Sequence, residues 1–112
     1  MTELKKPVVD IISRSDLKQG LADGSVVLVD VREPHEYAAG HIPGASLNAL
    51  QSFDPAALPA AQAGKHIVLA CRSGGRSVTA LALTQTAGRT DITTHYAGGF
   101  KEWSEAGEKV EF

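Results

Sequence analysis

The sequence predicts an α/β domain: a mainly parallel central sheet with helices packed on both faces. Three observations carry this. Val26–Val31 and His66–Ala70 are short, almost continuous apolar runs, the pattern of strands buried on both faces. Stretches with helical spacing, closed by glycine, alternate with them. The chain has 112 residues, 43% of them hydrophobic, which suits one domain over 1–112 with a core that needs no disulfide or metal.

The elements follow in order. Val8–Ile11 reads as a first strand. Ser15 is placed to cap a short helix that runs through Leu17 and Leu21 to the Asp23-Gly24 turn. The strand Val26–Val31 comes next. Pro34, tolerated at a first helical position, opens a short helix through Tyr37 that Gly40 stops. His41-Ile42-Pro43-Gly44 reads as loop and Ser46–Asn48 as a brief strand. Asp54-Pro55 begins an alanine-rich segment to Ala63, read as helix interrupted at Pro59 and ended by Gly64.

The strand His66–Ala70 delivers Cys71 at its carboxyl end. Ser73-Gly74-Gly75 is a tight turn, and Arg76–Thr86 is a helix rich in small residues, with Gly88 suited to its C-terminal cap. Ile92–Tyr96 reads as the last strand. Gly98-Gly99 then leads into a short helix whose Phe100 and Trp103 close the core. The tail from Glu108 to Phe112 either packs on the domain or frays.

Charge and composition exclude several classes of function. A net charge of -2 gives no electrostatic case for nucleic acid or an anionic membrane as partner. No apolar run is long enough to span a bilayer, and MTELKKPVVD lacks the apolar segment of a signal peptide. The expectation is a cytoplasmic monomer. With one cysteine there is no internal disulfide, no multi-cysteine metal cage and no internal resolving thiol. Four scattered histidines show no ligand spacing, and no glycine run has the dinucleotide pattern, so no cofactor is expected.

The chemistry concentrates at His66-Ile-Val-Leu-Ala-Cys71-Arg-Ser-Gly-Gly-Arg-Ser77. In parallel α/β sheets, ligands bind beyond the carboxyl ends of the strands, where Cys71 falls. Gly74 and Gly75 let the loop curl, and a helix starts where the loop ends. Unpaired N–H groups of loop and helix start can then converge on one cavity, which favours an anion. A cysteine sulfur seated there has a lowered pKa and needs no separate general base. Arg72 and Arg76 add positive charge. Ser73 and Ser77 have two readings, side-chain contact with the sulfur or local turn chemistry, and their backbone N–H groups are the stronger candidates.

Cys71-Arg-Ser-Gly-Gly-Arg-Ser77 resembles the active-site loop of rhodanese-like sulfurtransferases, a cysteine with an arginine five residues on. Asp30-Val-Arg-Glu-Pro-His-Glu-Tyr37 and Gly40-His-Ile-Pro-Gly-Ala45 are similar to the family's upstream signature. Tyr96-Ala-Gly-Gly-Phe-Lys-Glu-Trp103 with Gly107 is similar to its C-terminal one. The resemblance implies a rhodanese-like fold and a persulfide cycle in two halves. Thiosulfate or another sulfane donor loads Cys71, and cyanide, a thiol or a protein acceptor removes the sulfur. Arg72 and Arg76 would orient the anionic donor, and the N–H groups of 72–76 would cradle the sulfur.

Asp30 and Arg32 end another buried strand, and the role assigned to them is scaffold: an ion pair or backbone hydrogen bonds that hold the loop. Glu36, His35 and His41 are read as loop and helix-end polar contacts, and His66 and His95 receive no catalytic role. Two rival functions are weighed. A cysteine phosphatase or arsenate reductase would place five residues between cysteine and arginine, whereas four, Arg72 to Gly75, lie here. A non-catalytic binding or regulatory module would tolerate loss of the cysteine, which this chain keeps.

Overall fold

Each of the two apolar runs becomes a central strand because both of its faces find a helical layer. The computed structural model describes residues 6–60 and 62–112. Its elements are β1 (Asp10–Ile11), α1 (Arg14–Asp23), β2 (Val26–Asp30), α2 (Pro34–Ala39), β3 (Ser46–Leu47), β4 (His66–Ala70), α3 (Gly75–Thr86), β5 (Thr94–Tyr96) and α4 (Gly99–Glu105). The five strands form one parallel sheet in the order β1-β5-β4-β2-β3. Alternate residues of each strand serve opposite layers. Val29, Val31, Leu69 and Cys71 pack with Ala80 and Leu81 of α3. Leu28, Val68, Ala70 and Tyr96 pack with Leu17 of α1 and Trp103 of α4. Leu28, Val68 and Leu69 are at most 1% exposed, so burial of each contributes roughly 2 kcal/mol.

Several boundaries differ from the sequence expectation. Ser13, not Ser15, caps α1: its Oγ accepts from Asp16 N at 3.1 Å, and its carbonyl takes the Leu17 N–H at 2.9 Å. The cap position falls two residues earlier because Ser15 is already inside the first turn. The first strand is only Asp10–Ile11; the backbone of Val8 bonds instead to the Gln85 side chain, at 3.0 and 2.9 Å. The last strand starts at Thr94 rather than Ile92, whose carbonyl also accepts from Gln85.

Among its described residues the alanine-rich segment forms a single 3-10 turn, Pro55–Ala57, and no longer helix; Ala61 lies outside the described residues. Asp54 caps that turn through Ala56 N, Leu58 drops into the core, and Pro59 has no N–H with which to continue. The tail packs: Glu111 exchanges backbone hydrogen bonds with His41, at 2.8 and 2.9 Å, and Trp103 Nε1 donates to Lys109 O. Phe100 does not close the core with Trp103; it is half-buried beneath the Arg32 guanidinium, 4.4 Å from ring centre to Cζ. Among the described residues no helix is long and apolar enough to cross a membrane.

Candidate active site

Strand β4 ends at Ala70, and the chain then turns through Cys71–Gly74 into α3. Two glycines make this turn fit its surroundings. Gly74 has φ +98°, and a Cβ there would stand 2.8 Å from Ala97 O. Gly99, the first residue of α4, has φ +63°, and a Cβ there would collide with the carbonyls of Cys71 and Arg72. With no side chain in the way, α4 closes over the loop: Phe100 N donates to Cys71 O at 2.9 Å, and Lys101 N to Arg72 O at 3.0 Å. The cysteine loop is therefore fixed from behind by its own sheet and from the side by the C-terminal helix.

The Cys71 sulfur is enclosed, with the residue 2% exposed. Gly74 N–H donates to Sγ at 3.0 Å, and Ser77 Oγ lies 3.6 Å from Sγ. Burial pushes the thiol pKa up; the Ser77 hydroxyl and the backbone N–H groups of Ser77, Ser73 and Gly74 push it down. The donors prevail, and the thiol ionises below the ordinary cysteine value. The arrangement can hold an anionic sulfur at the helix start.

The two loop arginines have different surroundings. Arg72 is exposed on the rim. Arg76 forms a fork on Glu36 of α2, Nη1 to Oε1 at 2.6 Å and Nη2 to Oε2 at 3.0 Å. The Arg76 guanidinium holds the Glu36 carboxyl down at about 2, and Glu36 raises Arg76 in return. This partnership was not visible in the sequence, where 40 positions separate the two residues. Its pH dependence has a definite sign. Glu36 is lowered on folding, so its contribution is complete above its ordinary value of 4.5 and fades as pH falls toward about 2. Urea midpoints measured between those limits should drop less steeply for Glu36→Gln than for the unaltered chain.

Asp30 and Arg32 form a buried pair behind the same rim. Arg32 Nε lies 3.1 and 3.0 Å from the two Asp30 oxygens, Nη2 donates to Oδ2 at 2.8 Å, and the Arg32 N–H donates to Oδ1 at 2.9 Å. Nη2 also donates to Gly40 O at 2.7 Å, which ties the end of α2 to the end of β2. Neither side chain hydrogen-bonds to Cys71. A cleft of about 360 Å³ opens beside them, lined among others by Arg32, Glu36, Arg72, Phe100 and Lys101.

Ser77 points inward. Its Oγ is 3.0 Å from Gly74 O and 2.7 Å from His95 Nδ1. His95 on β5 is 4% exposed, and burial lowers its pKa. Nothing in the local sequence pattern distinguishes His95 from a strand residue; only the pairing of β5 beside β4 brings it to the cysteine loop. His35, by contrast, is exposed, His41 stacks on Tyr37 at 3.8 Å between ring centres, and His66 meets Thr94 Oγ1 at 3.0 Å.

The model of the rhodanese-like domain family matches residues 13–106. The human thiosulfate:glutathione sulfurtransferase is 35% identical over 107 residues, covering 84% of this chain and 92% of that protein. An uncharacterized protein of Synechocystis is 41% identical over 96 residues and 86% of this chain, which spans only 52% of its length. The solved structure of a human single-domain sulfurtransferase superposes with a TM-score of 0.71 at 32% identity, over 85% of this chain and 95% of that one.

Proposed function

The chain belongs to the rhodanese-like domain family, and from this we propose that it is a sulfurtransferase that carries sulfur on Cys71. Sulfurtransferase relatives at 35% and 34% identity support a transferase. The observation that carries the mechanism is the seat of the sulfur: Sγ faces Gly74 N at 3.0 Å at the start of α3, and against the upward push of burial the Ser77 hydroxyl and the N–H groups of Ser77, Ser73 and Gly74 lower its pKa. The reacting form of the nucleophile is the thiolate, which these donors favour. It attacks the sulfane sulfur of thiosulfate; a Cys71 S–S bond forms, the S–S bond of thiosulfate breaks, and sulfite leaves with the electron pair. The terminal persulfide sulfur is anionic and is held by the same N–H groups. A nucleophilic acceptor, cyanide or a thiol, takes that sulfur and returns the Cys71 thiolate.

Four residues between Cys71 and Arg76 suit a ring sized for one sulfur better than a phosphoryl group. Arg72 is exposed at the rim of a cleft whose other charged lining residues are already paired, Arg32 with Asp30, Glu36 with Arg76 and Lys101 with Glu105, so among the described residues it is the lining cation left to meet a dianionic donor. Arg76, occupied by Glu36, acts chiefly to hold α2 against the loop. We assign donor capture to Arg72 first: Arg72→Ala should raise the thiosulfate concentration at half-maximal rate several-fold and leave the maximal rate within about twofold. An unchanged concentration dependence removes Arg72 from this role. A lone thiol that must stay free fits a reducing compartment such as the cytoplasm.

The deciding experiment is intact mass after incubation with thiosulfate, with and without later cyanide. A gain of one sulfur that cyanide removes supports the cycle. A folded protein with a free thiol and no gain from thiosulfate, sulfide-derived polysulfide or an organic persulfide defeats it.

A further inference from the structure

Ser77 and His95 meet behind the Cys71 sulfur, and both are shut away from solvent at 0% and 4% exposure. Three heavy atoms form a chain: Sγ of Cys71, Oγ of Ser77 at 3.6 Å, and Nδ1 of His95 at 2.7 Å from that oxygen. A serine hydroxyl has one proton and two lone pairs. It cannot donate to Gly74 O, 3.0 Å away, and to His95 Nδ1 at the same time. Two proton arrangements therefore fit one set of heavy atoms. With neutral His95 protonated on Nε2, Ser77 donates to Nδ1 and accepts from the Cys71 S–H. With Nδ1 protonated, His95 donates to Ser77, whose proton then faces Gly74 O at 3.0 Å or, once the thiol has ionised, the thiolate at 3.6 Å.

We propose that His95 is the positioning residue behind the nucleophile: through Ser77 it takes the proton that Cys71 gives up and turns the Ser77 hydroxyl toward the thiolate. The proposal deepens the sulfur-transfer reading and takes its purpose from it, and it departs from the sequence expectation that Cys71 needs no separate proton acceptor. In the step the S–H bond breaks and its proton bonds to Ser77 Oγ, while the original Ser77 proton passes to His95 Nδ1. The products are a thiolate, an unchanged serine and an imidazolium. Net charge is conserved and nothing is oxidised or reduced.

The surroundings isolate this pair. In register with His95, β4 offers Leu69 and β1 offers Ile11. Asp10 on β1 has its carboxylate bound by Thr93 Oγ1 at 2.7 Å. On α3, Arg76 turns to Glu36 and Ser77 turns to His95. Cys71, in the same layer as Leu69, is the titratable group that the hydrogen-bond chain joins to His95. Burial disfavours an imidazolium alone; on this proposal the thiolate across Ser77 offsets that cost, and the two groups titrate as a pair.

The test is the thiol titration, followed by far-ultraviolet thiolate absorbance with Cys71→Ser as the blank. His95→Asn can keep a hydrogen bond at the Nδ1 position but cannot take a proton. It should cut the thiolate fraction at neutral pH about tenfold, and Ser77→Ala should do at least as much. The double variant should fall no further than Ser77→Ala alone. A His95→Asn titration identical to that of the unaltered chain overturns the proposal. Should that variant not fold, the imidazole resonances of the unaltered chain decide: proton uptake at His95 should track thiolate formation and shift in Cys71→Ser. Superimposable imidazole curves in the two proteins overturn it equally. No sulfur donor is present in either measurement, so a failure to form persulfide would strike the activity without bearing on this result.

Discussion

Cys71→Ser should reduce sulfur transfer from thiosulfate to cyanide to the uncatalysed background while the protein stays folded. The serine hydroxyl ionises far above neutral pH, and an oxygen cannot form the disulfide-type bond that retains the transferred sulfur. The lowered pKa of Cys71 arises from donors that would still surround an oxygen, chiefly the Ser77 hydroxyl and the N–H groups of Ser77, Ser73 and Gly74. These donors keep a partner in the variant, and Ser is close to Cys in size. Stability should therefore change by no more than about 1 kcal/mol. Thiocyanate production and the urea midpoint, measured on the same sample, separate the two effects. Thiocyanate at the unaltered rate would remove Cys71 from the chemistry; a lost midpoint would make the activity result a folding result.

Asp30→Ala should produce the largest loss of stability among single side-chain changes. Asp30 and Arg32 are 5% and 4% exposed, and the carboxylate accepts from Arg32 four times, counting one backbone N–H. Removing the carboxylate strands a buried guanidinium with Gly40 O and the Phe100 ring as its remaining neighbours. Breaking such a pair costs about 3–5 kcal/mol, a melting-point fall on the order of 10–20 °C for a domain of this size. The double variant Asp30→Leu with Arg32→Met discriminates between causes. If the stranded charge is responsible, it should recover most of the loss. If the loss comes from the broken tie to Gly40, the double variant should be as unstable as Asp30→Ala.

The parts of this molecule that the sequence made legible are those that depend on local pattern. The buried runs that became β2 and β4, the glycine turn after Cys71 and the helix that follows all rest on neighbours in the chain. The alanine-rich segment stops after one turn because Pro59, four residues after the tolerated Pro55, cannot supply the next N–H, and burial of Leu58 holds the backbone in a turn. Gln85 shows a different limit. Its side chain occupies backbone groups of Val8 and Ile92, shortening two strands at once, and no strand propensity could anticipate that. The Arg76–Glu36 fork and the Ser77–His95 contact are products of topology. Each joins residues on different elements, 40 and 18 positions apart, with no periodic signal between them.

The order of strands also dictates when the thiol cavity can exist during synthesis. β5 lies between β4 and β1, so Asp10 pairs with Thr94 and a span of about eighty residues must close before the sheet is whole. The helix that seals the cysteine loop, α4, emerges later still, since Phe100 and Lys101 donate to the carbonyls of Cys71 and Arg72. A ribosome-bound chain that has released β4 and α3 but not α4 therefore carries the cysteine without its finished enclosure. In such a chain the donors that lower the thiol, on Ser73, Gly74 and Ser77, are already synthesised, but the carbonyls of Cys71 and Arg72 still lack their α4 partners, so the loop is fixed in place only as one of the last events of folding.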